Sequence, residues 1–140
     1  YAVGPGATPE MKDLARRDPQ ICVTGEVADV RPYLAKARVF VCPIRMGSGM
    51  RSKILEAMAS GVPVVSTSLG AEGIPVQMGD NAFLADTPAV MAQYTHLLLN
   101  DQRLVESMTA NARDMVSSRF SWGYSIDLLE SVLNEVSGHC

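Results

Sequence analysis

The stretch VCPIRMGSGMRSKILEAMASGVPVVST, residues 41–67, decides the fold of this chain. It begins and ends with short apolar runs, and between them lie a glycine-rich loop and a helical pattern. Runs of this kind are typical of strands buried on both faces of a parallel sheet. The helical pattern stops at Gly61 and Pro63, residues that favour the end of a helix. The stretch therefore predicts a strand, a loop, a helix and a second, parallel strand.

The same alternation continues on both sides of this stretch. Further strands are predicted at YAV (1–3), ICVTG (21–25) and residues 83–85, and helices at residues 8–17, where Thr8 and Pro9 begin the helix, and 30–37. Three more helices are predicted at 87–100, 101–120 and 121–138, starting with Thr87, Asp101 and Ser121. The fold class expected is α/β: a Rossmann-like parallel sheet with helices on both faces and a helical C-terminal tail.

Length and composition narrow the class of protein. The chain has 140 residues, of which 47% are hydrophobic and 19% charged, as expected for one globular domain over residues 1–140. No apolar run approaches the roughly 20 residues that a membrane span needs. The net charge of −3 and the absence of interleaved basic and aromatic residues argue against a nucleic-acid partner.

Positive charge is concentrated in one part of the chain. No acidic residue occurs between Asp29 and Glu56, whereas six cations do: Arg31, Lys36, Arg38, Arg45, Arg51 and Lys53. Either an anionic ligand binds near this segment or the cations form a solvated basic face.

The cysteines and histidines indicate no metal or catalytic site. Cys22 and Cys42 lie in apolar runs and are expected to be core thiols, whereas Cys140 is the last residue. This pattern favours a reducing, cytoplasmic location. His96 and His139 lack the partners that nucleophilic or metal chemistry needs, so structural roles are expected.

The glycine loop is a candidate anion site. Gly47 and Gly49 lie between a predicted strand and a helix, where loops at the carboxyl ends of parallel strands bind ligands. Their backbone amides and the helix N-terminus suit phosphate, and Arg51 and Lys53 add positive charge. The alternative is that the glycines only turn the chain.

Glu56 is a candidate for binding hydroxyl groups. It lies about one turn into the predicted helix, among small and apolar residues, and could point toward the loop. A carboxylate accepts two hydrogen bonds from a pair of hydroxyls such as a ribose diol. An ordinary exposed helix glutamate is the alternative.

Two other phosphate motifs fit less well. The spacing of MGSGMRSK excludes a phosphate-binding P-loop. A dinucleotide fingerprint fits in part. Gly47 and Gly49 occupy its first two glycine positions, Ser52 replaces the third glycine, and Glu72 lies twenty residues after Ser52. Glu72, however, falls well past the predicted strand, so an NAD-type oxidoreductase remains a weaker alternative.

As a whole, the run VFVCPIRMGSGMRSKILEAMASGVPVVSTSLGAEGI resembles the C-terminal, donor-binding domain of family-four, group 1 retaining glycosyltransferases of the GT-B fold. The similarity extends over nearly the entire chain, and KILEAMASGVPVVST is its most specific part. The resemblance implies transfer of a hexose from a nucleotide diphosphate sugar, UDP- or GDP-linked, to an acceptor, with retention at the anomeric carbon and without a metal ion or other cofactor.

The resemblance also assigns roles to individual residues. Glu56 would hold the ribose hydroxyls, and the backbone amides of Gly49, Met50 and Arg51 would face the donor sugar and phosphates. The base pocket would be lined by Gly25, Glu26 and Val27.

Ser48 departs from the family pattern. Many members carry a glutamate at that position, with seven residues between it and the second one, and serine cannot make the carboxylate contacts to the donor sugar. The sugar specificity implied by the family is therefore open.

The chain starts at Tyr1 without methionine, so we expect a fragment of a two-domain enzyme. The family's diphosphate-binding Arg and Lys and the acceptor domain would lie upstream, and the fragment alone would be inactive. The helix 121–138 would cross toward that domain, which could also contact a membrane surface. A non-catalytic nucleotide-binding module is the second alternative function.

Overall fold

A computed structural model describes residues 1–137 of the chain, so the expectations for Gly138, His139 and Cys140 lie outside the described residues. The strands are β1 Ala2–Val3, β2 Val23–Gly25, β3 Phe40–Cys42, β4 Val64–Ser66 and β5 Phe83–Leu84. The helices are α1 Pro9–Arg17, α2 Arg31–Leu34, α3 Ser52–Ala59, α4 Pro88–Asn100, α5 Gln102–Arg119 and α6 Trp122–Ser137. Each predicted strand and helix is present, although α2 is shorter than the predicted 30–37.

The chain divides into two compact units, residues 1–37 and the residues from Arg38 onward. In the first unit β1 and β2 pair in parallel, with Ala2 opposite Val23, and α1 packs against β2. The rings of Tyr1 and Tyr33 meet edge to face, with centroids 5.6 Å apart. This unit is therefore a small two-stranded sheet with two helices, α1 and α2, and its own aromatic contact.

The second unit contains a three-stranded parallel sheet in the order β3-β4-β5. Phe40 lies opposite Val64, and Val65 lies opposite Phe83. Helices α3 and α4 pack against β4, and α5 packs against both helices. Parallel strands flanked by helices confirm the predicted α/β class. The strands form two hydrogen-bonded sheets, β1-β2 and β3-β4-β5.

The core of the second unit lies around its central strand. Its buried cluster consists of Val65, Phe83, Ala85, Leu98 and Met108, and the ring of Phe83 stacks on Tyr94 at 4.3 Å. All three residues of β4 are buried because a strand pairs on each side of it.

Two burial predictions are wrong. The run at β3 was expected to be buried on both faces, but Val41 is 39% exposed because β3 is the edge strand of its sheet. Cys22 was expected in the core and is exposed, since β2 begins only at Val23 and Cys22 lies before it. Cys42 is buried, as predicted.

The predicted helix starts are confirmed by side-chain caps. The Thr8 hydroxyl accepts a hydrogen bond from the Met11 amide, and Thr87 accepts from Val90, each before a proline in the first turn. The Asp101 carboxylate accepts from the Leu104 amide at 3.0 Å. These oxygens satisfy amides that have no partner within the helix.

Candidate functional site

Hydrogen bonds hold together the loops that follow β3 and β4. The Thr67 amide donates to the Cys42 carbonyl at 3.1 Å, and its hydroxyl donates to the Ile44 carbonyl. The same hydroxyl accepts from the Gly70 amide at 2.9 Å. A Cβ atom at residue 70 would lie 2.5 Å from the Ser66 hydroxyl, so only glycine allows this approach. Sequence reasoning missed both Thr67 and Gly70, although a hydroxyl directly after a buried strand was a usable signal.

The loop after β4 is also attached to the end of β5. The Asp86 carboxylate accepts from the Ser68 hydroxyl at 2.7 Å and from the Ser68 amide at 2.8 Å. These two hydrogen bonds lower the pKa of Asp86 below its usual value, and the bond from the Ser68 hydroxyl has the larger effect. The three loops at the carboxyl edge of the sheet are therefore connected, which is the edge where parallel α/β sheets bind ligands.

The glycine loop is exposed at this edge. Residues 45–50 are all exposed, and Gly47 and Gly49 have φ values of +114° and +86°, which side chains disfavour. The Arg51 guanidinium lies over Gly47, since a Cβ atom there would be 2.6 Å from its terminal nitrogen. Arg51 also donates to the Ser48 carbonyl at 3.2 Å. Within residues 1–137, the buried Nε of Arg51 has no acceptor.

Helix α3 begins without a side-chain cap. Its N-cap position is Arg51, whose side chain accepts no hydrogen bond from the first turn. In contrast, α1, α4 and α5 begin with a threonine or aspartate oxygen on an amide. Arg51 and Lys53 also put positive charge at the positive end of the helix dipole, which is unfavourable by some tenths of a kcal/mol each unless an anion binds there. The Ile54 amide donates to the Arg51 carbonyl at 3.0 Å, and within residues 1–137 the amides of Ser52 and Lys53 have no acceptor, so these two are available to a negatively charged group.

Helix α3 separates its buried and exposed residues as an amphipathic helix does. Ile54, Ala57 and Met58 are buried, whereas Glu56 and Lys53 are exposed. Among residues 1–137, no side chain forms a hydrogen bond or ion pair with the Glu56 carboxylate. The predicted site residues Ser48, Gly49, Met50 and Arg51 therefore lie on the glycine loop, Lys53 in the first turn of α3 and Glu56 about one turn into that helix.

The remaining predicted site residues belong to the first unit. Gly25 ends β2 with a φ of +71°, Glu26 is exposed and Val27 is half-buried. Gly25 is the last residue of β2, and Glu26 and Val27 follow it at the carboxyl edge of the two-stranded sheet.

Glu72, the acid of the partial dinucleotide fingerprint, lies in a turn beyond β4. Its amide donates to the Leu69 carbonyl at 3.3 Å, and the side chain is exposed. Five residues separate it from the end of the strand at Ser66, so it does not occupy a strand tip.

A groove of about 510 Å³ lies elsewhere in the second unit, between α5 and the segment before β5. Its polar lining includes Asp80, Asn111 and Asp114, and none of the predicted site residues contributes to it. It precedes β5 and so lies away from the carboxyl ends of the strands.

The family model for glycosyl transferases group 1 matches residues 1–101, and the chain belongs to that family. It is 28% identical over 120 residues to the capsular polysaccharide biosynthesis glycosyltransferase CapM of Staphylococcus aureus, covering 84% of this chain and 31% of that protein. It is 39% identical over 93 residues to the O-antigen chain mannosyltransferase B of Escherichia coli, covering 65% of this chain and 24% of that protein. The chain thus spans less than a third of these curated relatives.

Solved structures show the same fold. The C-terminal domain of the group 1 family glycosyl transferase LpcC from Francisella tularensis superposes with a TM-score of 0.68 and 23% identity, covering 83% of this chain and 67% of that one. Anabaena HepE in complex with UDP superposes with a TM-score of 0.75 and 21% identity, covering 97% of this chain and 40% of that one. The predicted resemblance to a GT-B C-terminal domain is confirmed.

The part of the chain that the structure describes lacks two features, a membrane-spanning helix and a cluster of metal-binding side chains. Along residues 1–137, no helix is both long and apolar enough to cross a membrane. The same part of the chain contains no group of three or more His, Cys, Asp or Glu residues placed to hold a metal ion.

Proposed function

We propose that this chain is the donor-binding domain of a retaining glycosyltransferase, which transfers a hexose from a nucleotide diphosphate sugar. The observation that carries the proposal is the uncapped start of α3 next to an exposed glycine loop, in a chain of the group 1 family. Two further facts support it: relatives named for capsule and O-antigen synthesis, and a neighbour of the same fold solved with UDP-glucose.

The diphosphate and the donor sugar bind at the glycine loop. The amides of Gly49, Met50 and Arg51 approach the ligand closely because no side chain covers Gly49. The dipole of α3 and the charges of Arg51 and Lys53 stabilise the phosphates. The same groups stabilise the diphosphate as it leaves with negative charge, and this stabilisation lowers the barrier to transfer.

In the second unit, Glu56 binds the ribose of the nucleoside. Glu56 is exposed and free of hydrogen bonds from the described residues, so its carboxylate can accept from both ribose hydroxyls. Gly25, Glu26 and Val27 line the base pocket. UDP and GDP are both compatible with this assignment.

Catalysis requires more than this chain. Since the chain spans less than a third of CapM and of the O-antigen mannosyltransferase, we assign the acceptor and the remaining diphosphate contacts to another domain. Helix α6 crosses toward that domain, and the chain alone transfers no sugar. The reaction needs no metal ion and takes place in the cytoplasm, and the other domain provides any contact with a membrane surface.

Replacing Glu56 tests the proposal. The chain is titrated by calorimetry with UDP, GDP and their 2′-deoxy forms, and the same titrations are made with Glu56→Gln. Because a charge-assisted hydrogen bond contributes about 1.5–3 kcal/mol, the wild type should bind the ribonucleotide roughly tenfold more tightly than the deoxynucleotide. Glu56→Gln should lose most of that preference. Glu106→Gln, an exposed glutamate on α5, is the matched control.

Two results would contradict the proposal. One is the absence of any change in the NMR signals of Gly49 and Glu56 at millimolar nucleoside diphosphate. The other is tighter binding of NAD than of UDP and GDP. Activity of the full-length protein then separates an enzyme from a non-catalytic module, which would bind the donor without releasing the sugar.

A further inference from the structure

The turn that carries Glu72 approaches the glycine loop, although the two are distant in sequence. The next residue, Gly73, is so close to the loop that a Cβ atom there would lie 3.5 Å from the Cβ of Met50. Consecutive Cα atoms are about 3.8 Å apart, so the Cα atom of Glu72 lies about that far from the Cα atom of Gly73, the residue that approaches the loop. The loop after β4 therefore contacts the loop after β3 at the residue that follows Glu72.

The turn that carries Glu72 is fixed by backbone hydrogen bonds. The Ala71 amide donates to the Thr67 carbonyl at 3.1 Å, and the Ile74 amide donates to the Ala71 carbonyl at 3.0 Å. Thr67 itself is bonded to Cys42 and Ile44. The position of Glu72 relative to the glycine loop thus depends on the same contacts that hold the two loops together.

The Glu72 side chain is free to bind a ligand. It is exposed, and within residues 1–137 no group forms a hydrogen bond or ion pair with it. Arg51 donates to the Ser48 carbonyl instead, and Lys53 has no carboxylate partner among those residues. Glu72 is therefore an unpaired acceptor at the edge of the sheet where the loops meet.

The chemistry of the loop determines what such an acceptor can bind. Backbone amides and cations are donors, which suit phosphate oxygens, whereas the hydroxyls of a sugar also need acceptors. A carboxylate beside a phosphate would be repelled, so Glu72 suits a neutral polyol. In the proposed function Glu56 binds the ribose, which leaves the transferred sugar for Glu72.

We infer that Glu72 binds the hydroxyls of the transferred sugar and so contributes to donor specificity. The inference rests on the proposed function, because it assumes a nucleotide diphosphate sugar at the glycine loop. Ser48, in the same loop, has only a short hydroxyl and cannot supply the two acceptor oxygens of a carboxylate.

The test compares nucleotide sugars with the matching nucleotides. Calorimetry with the 140-residue chain measures Kd for UDP, UDP-glucose, GDP and GDP-mannose in the wild type, Glu72→Gln and the control Glu106→Gln. Glu72→Gln should weaken binding of the preferred nucleotide sugar about tenfold while binding of its nucleotide stays within twofold. Glu72→Asp, which keeps the charge, should recover part of the loss, and Glu106→Gln should behave like the wild type.

The outcomes separate this inference from the proposed function. If the wild type binds neither nucleotides nor nucleotide sugars, both are overturned. If it binds them and Glu72→Gln weakens neither, or weakens nucleotide and nucleotide sugar equally, only the role of Glu72 is overturned.

Discussion

At the scale of single residues, the carboxyl edge of the second sheet depends on a few polar contacts. Thr67 connects the loops after β3 and β4, and the Asp86 carboxylate accepts two hydrogen bonds from Ser68. Both are side chains that directly follow or nearly follow a strand. Positions one or two residues beyond a strand can therefore fix the loops that carry the site.

Asp86→Asn should make stability less dependent on pH. The pKa of Asp86 is lowered by its bonds to Ser68, so its contribution is complete above the unfolded pKa of about 3.9. That contribution is lost as the pH falls through the lower pKa of the folded state. In urea unfolding, the wild type should exceed the variant in free energy of unfolding near about pH 6, and the difference should shrink toward about pH 3.

Asp127→Asn on α6 serves as the control for this experiment, since no described residue bonds to the Asp127 side chain. A constant difference between the wild type and Asp86→Asn over this pH range would contradict the role given to Asp86.

At the scale of elements, α3 is capped at its end but not at its start. The Gly61 amide donates to Met58 at 3.0 Å and the Val62 amide donates to Ala57 at 2.9 Å, which together form a Schellman motif. Gly61 has a φ of +74°, and Arg113 of α5 donates to the Ser60 carbonyl there. The end of α3 is thus fixed by its own backbone and by a neighbouring helix, whereas no side chain caps its start.

Gly61→Ala should destabilise the protein through this cap. An alanine in the left-handed region costs about 1–2 kcal/mol. Its Cβ atom would also lie 2.0 Å from a terminal nitrogen of Arg113, so that side chain must move away. Urea unfolding should show a loss of at least about 1 kcal/mol in the free energy of unfolding.

Gly123→Ala in α6 is the comparison, because its Cβ atom meets only the Ser121 hydroxyl, at 3.9 Å. Because residue 123 lies in a helix, this substitution should raise the free energy of unfolding by up to about 1 kcal/mol. Equal effects of the two substitutions would contradict the strain assigned to residue 61.

At the scale of the whole molecule, α6 differs from the other helices in the number of large apolar side chains that it exposes. None of its residues is buried, and it exposes eight large apolar side chains: Trp122, Tyr124, Ile126, Leu128, Leu129, Val132, Leu133 and Val136. Exposed apolar side chains in this number mark an interaction site in a longer protein or a tendency to associate.

The 140-residue chain should therefore self-associate through α6. Sedimentation velocity should show a sedimentation coefficient that rises with protein concentration, and Leu129→Glu, at a side chain 59% exposed, should reduce the rise. Leu14→Glu on α1, 53% exposed, should leave it unchanged. A coefficient independent of concentration in the wild type would show that this surface does not associate.

Much of the fold follows from local patterns. The caps at Thr8, Thr87 and Asp101 begin helices because a side-chain oxygen is needed where amides lack partners. Burial of strands was less predictable, since periodicity does not show whether a run is central, as β4 is, or at an edge, as β3 is.

The sequence alone determined the α/β class, the order of elements and the donor-loop candidates from Ser48 to Glu56, because these depend on spacing within one segment. Only the tertiary structure decided that Cys22 is exposed and that Arg51 lies over Gly47. It alone also placed Gly73, the residue after Glu72, against Met50 of the glycine loop. The reason is that contacts between residues far apart in the chain depend on strand pairing and on how loops meet at a sheet edge, and no local pattern encodes either.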